Sequence, residues 1–128
     1  MPKLVELLAG PAVAVEEHEP LARAAERMFG ERVGSVCVLQ PDGALEGILT
    51  ERDVLRACAA GVDTHSATVG KWMTRDPVTA NASDEAAAAL QVMIDRGFRH
   101  LPVLGDGGLV GVVSMRDLSI ALQRTRMG

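Results

Sequence analysis

Hydrophobic and polar positions follow the same order twice along the chain. Short apolar runs near residues 13–15 and 78–80 predict strands. In each half, apolar residues then recur at helical spacing, so that one face of a predicted helix collects Leu21, Ala25 and Met28, or Leu90, Met93 and Ile94. Pro20 suits the first turn of the first helix, and Ser83, followed by two acidic residues, marks the start of the second.

Each half continues with a predicted β-hairpin. Apolar residues 35–39 and 45–49 flank an Asp-Gly turn, and residues 100–104 and 109–113 flank another. A last helix follows, starting near Thr50 in the first half and near Ser114 in the second. The pattern predicts the order β-α-β-β-α, twice.

The two halves also match in sequence. A shift of 65 places ERVGSVCVL (31–39) on RGFRHLPVL (96–104), and beyond residue 39 a shift of 64 places GILTERD (47–53) on GVVSMRD (111–117). We assign residues 1–60 to repeat 1, residues 61–65 to a linker and residues 66–128 to repeat 2. Two copies are too few for an open solenoid, so we expect one compact pseudo-symmetric module.

The bulk composition excludes several classes of function. The net charge of −4 argues against a general electrostatic attraction to nucleic acid or to an anionic membrane. No apolar run approaches the ~20 residues of a membrane helix, and no signal peptide is recognisable. We therefore expect a cytoplasmic protein.

The repeated heptapeptide allows two interpretations. Thr50 with Asp53, and Ser114 with Asp117, have the spacing of helix N-caps, which is a structural role. The same arrangement presents free N–H groups, a hydroxyl and a carboxylate at a helix start, which suits a phosphate and the diol of a ribose.

Rival chemistries have weaker signals. Ser114, Asp117 and His100 lack the G-x-S-x-G spacing of a nucleophile elbow. Cys37 and Cys58 belong to no metal-binding pattern, and we expect both to be small buried hydrophobes. Redox chemistry at either cysteine remains an alternative. We predict neither a metal site nor a required cofactor.

The whole chain resembles a cystathionine β-synthase (CBS) domain pair, also called a Bateman module. The resemblance rests on the β-α-β-β-α tandem, WMTRDPVTA (72–80), RHLPVL (99–104) and the two G-x-x-[ST]-x-x-D phrases. It implies an α/β (α+β) fold of two CBS repeats packed through their sheets, and a regulatory, energy-sensing module for adenosyl ligands: AMP, ADP, ATP, S-adenosylmethionine or NAD(H). It also implies a homodimer, a disc of four repeats.

The resemblance implies two ligand clefts, each mixing both copies. The first cleft takes Ser114, Asp117, Val112, Val33, Gly34, Ser35, Arg99, His100 and Arg116. The second takes Thr50, Asp53, Ile48, Arg52, Asp76, Phe98, Arg99 and His100. Because Arg99 and His100 correspond to Gly34 and Ser35 in the first copy, we expect unequal clefts. The cleft of Ser114 and Asp117 is the one favoured for a phosphorylated ligand.

The resulting functional hypothesis is a non-catalytic sensor that binds an adenosyl ligand between the repeats and signals to an effector protein in trans. A dimeric scaffold whose clefts are vestigial is the alternative.

Overall fold

The computed structural model describes residues 2–8 and 10–127, the last without its side chain. The chain divides into two compact units, each with its own sheet and core. One unit is Val13–Pro77. The other joins Met1–Ala12 to Val78–Gly128.

The Val13–Pro77 unit contains a four-stranded sheet in the order β1-β2-β3-β4. Its elements are β1 (Ala14–Val15), α1 (Leu21–Glu31), β2 (Ser35–Leu39), β3 (Leu45–Thr50), α2 (Glu51–Ala59), α3 (Val69–Trp72) and β4 (Thr74–Arg75). Strand β1 is parallel to β2, and the other neighbours are antiparallel. Alternate residues of the hairpin, Val36, Val38 and Leu49, pack into a core with Leu21 and Met28 from α1.

The other unit repeats this plan with a three-stranded sheet in the order β5-β6-β7. A short 3-10 helix (Leu4–Leu7) precedes β5 (Ala80–Asn81), α4 (Ala86–Arg96), β6 (His100–Gly105), β7 (Gly108–Ser114) and α5 (Met115–Met127). Its core contains Leu101, Val103 and Val113 from the hairpin, Met93 from α4 and Leu118 from α5.

The predicted order β-α-β-β-α is confirmed in both repeats, with both hairpins close to their predicted positions. Three short elements were not anticipated: the 3-10 helix, α3 and β4. Each is four residues long or shorter, so periodicity cannot reveal it.

Some local predictions are wrong. Helix α4 begins at Ala86 rather than near Ser83, because the Asp84 carboxylate accepts a hydrogen bond from the Asn81 N–H at 2.9 Å and closes a turn before the helix. Ile94 does not join the core. The helix buries Ala86, Ala89 and Met93, and Ile94, one position on, is 58% exposed.

The two cysteines also differ from each other. Cys37 is buried, as predicted, but Cys58 is exposed. Helix α2 buries Asp53 and Ala57, and the next position after Ala57 turns about 100° away from that face.

The residue boundaries of the two compact units differ from the boundaries of the two sequence repeats. The N-terminal segment packs on the second repeat, where the N–H groups of Leu4 and Val5 donate to the carbonyls of Asp84 and Ala82 at 2.9 Å each. Residues 61–77 belong instead to the unit of the first repeat, where the Leu21 N–H donates to the Ala67 carbonyl at 2.9 Å.

None of the helices in the described ranges has the length and apolar character needed to cross a bilayer.

The first glycine of each repeated phrase lies where a segment from outside the hairpin packs closely. A Cβ atom on Gly47 would lie 2.6 Å from the Thr74 carbonyl oxygen, which belongs to the backbone of β4. A Cβ atom on Gly111 would meet the end of the Leu8 side chain at 2.8 Å, and that side chain can rotate away.

We therefore predict that Gly47→Ala lowers the free energy of unfolding by about 2 kcal/mol, because a backbone atom must move. Gly111→Ala should cost less than about 1 kcal/mol, since only a flexible side chain must shift. Chemical denaturation of both variants measures the difference. Gly30→Ala is the control: it lies in α1 with open space around the added carbon and should not destabilise. Equal losses at Gly47 and Gly111 would contradict this prediction.

Candidate functional site

The phrase GILTERD spans the end of β3 and the start of α2. Thr50 is the N-cap of α2 in extended conformation, and its Oγ1 accepts a hydrogen bond from the Asp53 N–H at 3.4 Å. In return, the Asp53 carboxylate accepts from the Thr50 N–H at 2.9 Å and from the Thr50 hydroxyl at 3.1 Å. The two residues thus form a reciprocal capping box, with aspartate in the position usually held by glutamate.

The carboxylate of Asp53 is buried and bonded to neighbouring residues. Asp53 is 6% exposed, and its second oxygen lies 3.5 Å from Nη1 of Arg56, one turn along α2. Both oxygens are therefore engaged by neighbouring groups. A ligand hydroxyl that bound this carboxylate would have to displace at least one of these contacts.

The corresponding phrase GVVSMRD forms only one of the two hydrogen bonds of a capping box. The Asp117 N–H donates to Ser114 Oγ at 3.0 Å, so Ser114 caps α5 as Thr50 caps α2. Asp117 itself is exposed, and its carboxylate accepts no hydrogen bond from the residues that the structure describes. The start of α5 therefore presents a carboxylate to solvent, whereas the carboxylate at the start of α2 is buried and bonded to its neighbours.

Arg99, which immediately precedes β6, and His100, the first residue of β6, lie next to the start of α5 within the same unit. His100 is directly opposite Ser114 in the antiparallel pairing of β6 and β7, so their Cα atoms are about 4.5–5.5 Å apart. The preceding Arg99 accepts the Met115 N–H at its carbonyl at 2.8 Å. The structure thus brings together five predicted residues of the first cleft, Arg99, His100, Val112, Ser114 and Asp117, with exposed Arg116 following Met115.

The first repeat has the same backbone junction without the basic side chains. Ser35 is opposite Thr50, and the Gly34 carbonyl accepts the Glu51 N–H at 3.0 Å. Ser35 is buried, and Val33 is exposed.

The remaining predicted residues have varied surroundings. Ile48, expected to flank a base, is buried in the sheet, and Phe98 packs against the core of its own unit. Arg52 is exposed on α2. Each predicted cleft takes residues from both units, and the joining of these residues into one cleft stays a prediction.

Asp76 has an unusual backbone conformation. It adopts φ 47°, a left-handed value that is rare for residues other than glycine, although aspartate tolerates it better than most. Its N–H donates to the Glu46 carbonyl at 3.2 Å, and its side chain is exposed.

The neighbouring Arg75 is a residue that sequence reasoning did not single out. Its guanidinium bonds the carboxylates of Glu17 at 2.9 Å and Glu46 at 3.0 Å. The hydrogen bond to Glu17 is the main cause that raises the pKa of Arg75 above its usual value. The three residues link β4 to β3 and to the segment that follows β1, at the position just before Asp76. They are up to 58 positions apart, and no local pattern links them.

Metal-ligand side chains do not cluster in residues 2–8 and 10–127, where no three His, Cys, Asp or Glu residues are grouped as a metal site requires.

Comparison with known proteins agrees with this architecture. A family model for the CBS domain matches residues 5–60 and 69–124. An uncharacterized 17.7 kDa protein of Acidianus ambivalens is 36% identical over 121 residues, which cover 94% of this chain and 73% of that protein.

Two solved structures are similar over nearly the whole chain. A CBS domain protein from Pyrobaculum aerophilum, complexed with AMP, has a TM-score of 0.86 at 28% identity, covering 95% of this chain and 97% of that one. Hypoxic Response Protein I, with two coordinated zinc ions, has a TM-score of 0.79 at 30% identity, covering 93% and 98%. The internal repeat is therefore a pair of CBS domains in tandem, and the chain belongs to the CBS domain family.

Proposed function

We propose that the protein is a non-catalytic regulatory module that binds an adenosyl ligand, with Asp117 as its ribose-binding residue. The observation that carries this proposal is the carboxylate of Asp117, which is exposed at the start of α5 near the Ser114 hydroxyl and bonds none of the residues that the structure describes. Its two oxygens can each accept a hydrogen bond from one hydroxyl of a ribose diol.

The surroundings of Asp117 favour a phosphorylated ligand. Arg99 and Arg116 are exposed cations close to this helix start, and α5 adds the positive end of a helix dipole over 13 residues. The AMP complex of the Pyrobaculum aerophilum relative supports the same ligand class. AMP, ADP and ATP are therefore our first ligands, ahead of S-adenosylmethionine and NAD(H).

The Asp53 site should bind more weakly. Its carboxylate already holds the cap of α2, so binding there must break contacts that stabilise the helix. The first repeat also has Gly34 and Ser35 where the second has Arg99 and His100, and so lacks the cation of Arg99. We propose one main ligand site for each chain.

A signalling role requires a partner, and the helices offer a surface for a second copy of the chain. Phe29 on α1 is 89% exposed, and Ile94, its equivalent on α4, is 58% exposed. Large apolar side chains exposed at equivalent positions of two repeats are typical of an interface. The proposal thus includes a homodimer in the cytoplasm, whose ligand-dependent state an effector protein recognises.

Asp117→Ala should weaken AMP binding at least about tenfold, because two hydrogen bonds to the ribose are lost. Isothermal titration of ligand-stripped protein with AMP, ADP, ATP, S-adenosylmethionine and NADH measures this loss and identifies the preferred ligand. The stability of Asp117→Ala should stay within about 0.5 kcal/mol of the parent, since the carboxylate bonds no described residue.

Asp53→Ala is the matched control. It should lose about 1 kcal/mol of stability with its capping box, while the main AMP affinity changes little. Absence of binding by all five ligands would reject the sensor and leave the alternative, a dimeric scaffold in which both phrases serve only as helix caps.

Phe29→Lys should shift the protein from dimer to monomer in sedimentation velocity, because a charge would replace the most exposed of the described large apolar side chains. Val110→Lys changes an exposed apolar residue on β7 and is the control. A dimer that withstands Phe29→Lys and Ile94→Lys together would contradict the proposed interface.

The two cysteines should react very differently, which tests the redox alternative. Burial raises the pKa of the Cys37 thiol to about 12, so this thiol stays protonated and inaccessible at pH 8. A maleimide reagent should therefore label only Cys58 in the native protein, and Cys58→Ser should abolish native labelling. Rapid labelling of Cys37 in the native protein would support the alternative of redox chemistry at this thiol.

A further inference from the structure

The groove between the first strand and the first helix differs between the two repeats. In the first repeat, Arg27 on α1 is half-buried, and its guanidinium donates to the Ala14 carbonyl at 3.3 Å. The Val13 carbonyl accepts from the Cys37 N–H, so the next carbonyl along β1, that of Ala14, points to the open edge of the sheet. The side chain of Arg27 satisfies this edge carbonyl.

The second repeat lacks this arginine. The shift of 65 places Val92 at the position of Arg27 and Thr79 at the position of Ala14. The strand pairing agrees with this equivalence, because Ala80 pairs with Val103 as Val15 pairs with Val38. Valine is shorter than arginine and has no donor, so it cannot bond the Thr79 carbonyl.

A cavity of about 240 Å³ lies at this place in the second repeat, and both Thr79 and Val92 line it. Its apolar wall includes Ala89 and Leu101. The volume is below the ~300 Å³ of ordinary ligand pockets and suits a group the size of one side chain.

The charged lining of the cavity is acidic on balance. The lining includes two acidic residues, Asp84 and Asp95, and one cation, Arg96. Asp84 accepts from the Asn81 N–H at 2.9 Å, and Asp95 from the Gln91 amide at 2.8 Å, which leaves each carboxylate further acceptor capacity. Asp95 corresponds to Gly30, so a carboxylate at this one position is specific to the second repeat.

We propose that this cavity binds a small guanidinium compound, in the place that Arg27 occupies in the first repeat. The alkyl part would contact Val92 and the apolar wall. The guanidinium would donate to the Thr79 carbonyl and to the Asp95 carboxylate, a charge-assisted pairing. The cavity shares no residue with the adenosyl site proposed above, so the two proposals stand or fall separately.

Ethylguanidinium is the probe, and its neutral isostere N-ethylurea is the ligand control. In a ¹H–¹⁵N NMR titration of the full chain, ethylguanidinium should shift the amide signals of Thr79, Val92 and Asp95. N-ethylurea should bind about tenfold more weakly, because it lacks the charge. Asp95→Asn should weaken ethylguanidinium binding, and Arg96→Gln, which removes the rim cation, should strengthen it.

The first repeat offers a reciprocal test. Arg27→Val should lower the melting temperature by leaving the Ala14 carbonyl without its donor, and millimolar ethylguanidinium should restore part of the loss. Val92→Arg should abolish ethylguanidinium binding in the second repeat. If Val92→Arg fails to fold, the difference in affinity between ethylguanidinium and N-ethylurea in the parent chain still tests the proposal.

Equal binding of ethylguanidinium and N-ethylurea, or no shift at Thr79 and Val92 with either, would overturn the proposal. A well-dispersed ¹H–¹⁵N spectrum of the same sample, with or without AMP, serves as an independent check that the protein is folded.

Discussion

The hydroxyl cap at the junction of the hairpin and the following helix is the interaction on which both repeats depend. Thr50 and Ser114 each accept the N–H of the aspartate three residues on, which fixes where α2 and α5 begin. The same bond places a hydroxyl and a carboxylate at a helix N-terminus, beside the first residue of a neighbouring strand. The cap that starts each helix thereby also creates a geometry that suits the ligand groups proposed above.

The two copies have diverged around this shared junction. In the first, Asp53 folds back onto Thr50 and the carboxylate is used for the stability of α2. In the second, the carboxylate of Asp117 stays open, and basic residues occupy the adjacent strand positions. The groove between strand and helix differs as well, because Arg27 bonds the Ala14 carbonyl in one copy and a cavity lined by Thr79 and Val92 lies at the equivalent place in the other. The two copies thus share one backbone junction and differ in whether its carboxylate is bonded within the protein or exposed.

Sequence reasoning succeeded where signals were local or repeated. The hairpins follow from alternating apolar residues around Asp-Gly turns, and the caps follow from hydroxyl and aspartate spacing. It failed at Ser83 and Ile94, because a turn at Asp84 delays α4 and the helix face then differs from the one that periodicity suggested. It also missed β4 and the bonds of Arg75, which join residues far apart in sequence.

The sequence by itself therefore determined the β-α-β-β-α order, the duplication, the family resemblance and the residue types at each helix start, since these depend on neighbours within a few positions or on comparison of the two halves. Only the tertiary structure decided that the N-terminal segment packs on the second repeat and that Asp53 is buried while Asp117 is exposed. It also decided that the second repeat has a cavity at the position equivalent to Arg27. Packing between distant segments and the rotation of side chains set these features, and the similar local phrases carry no information about either.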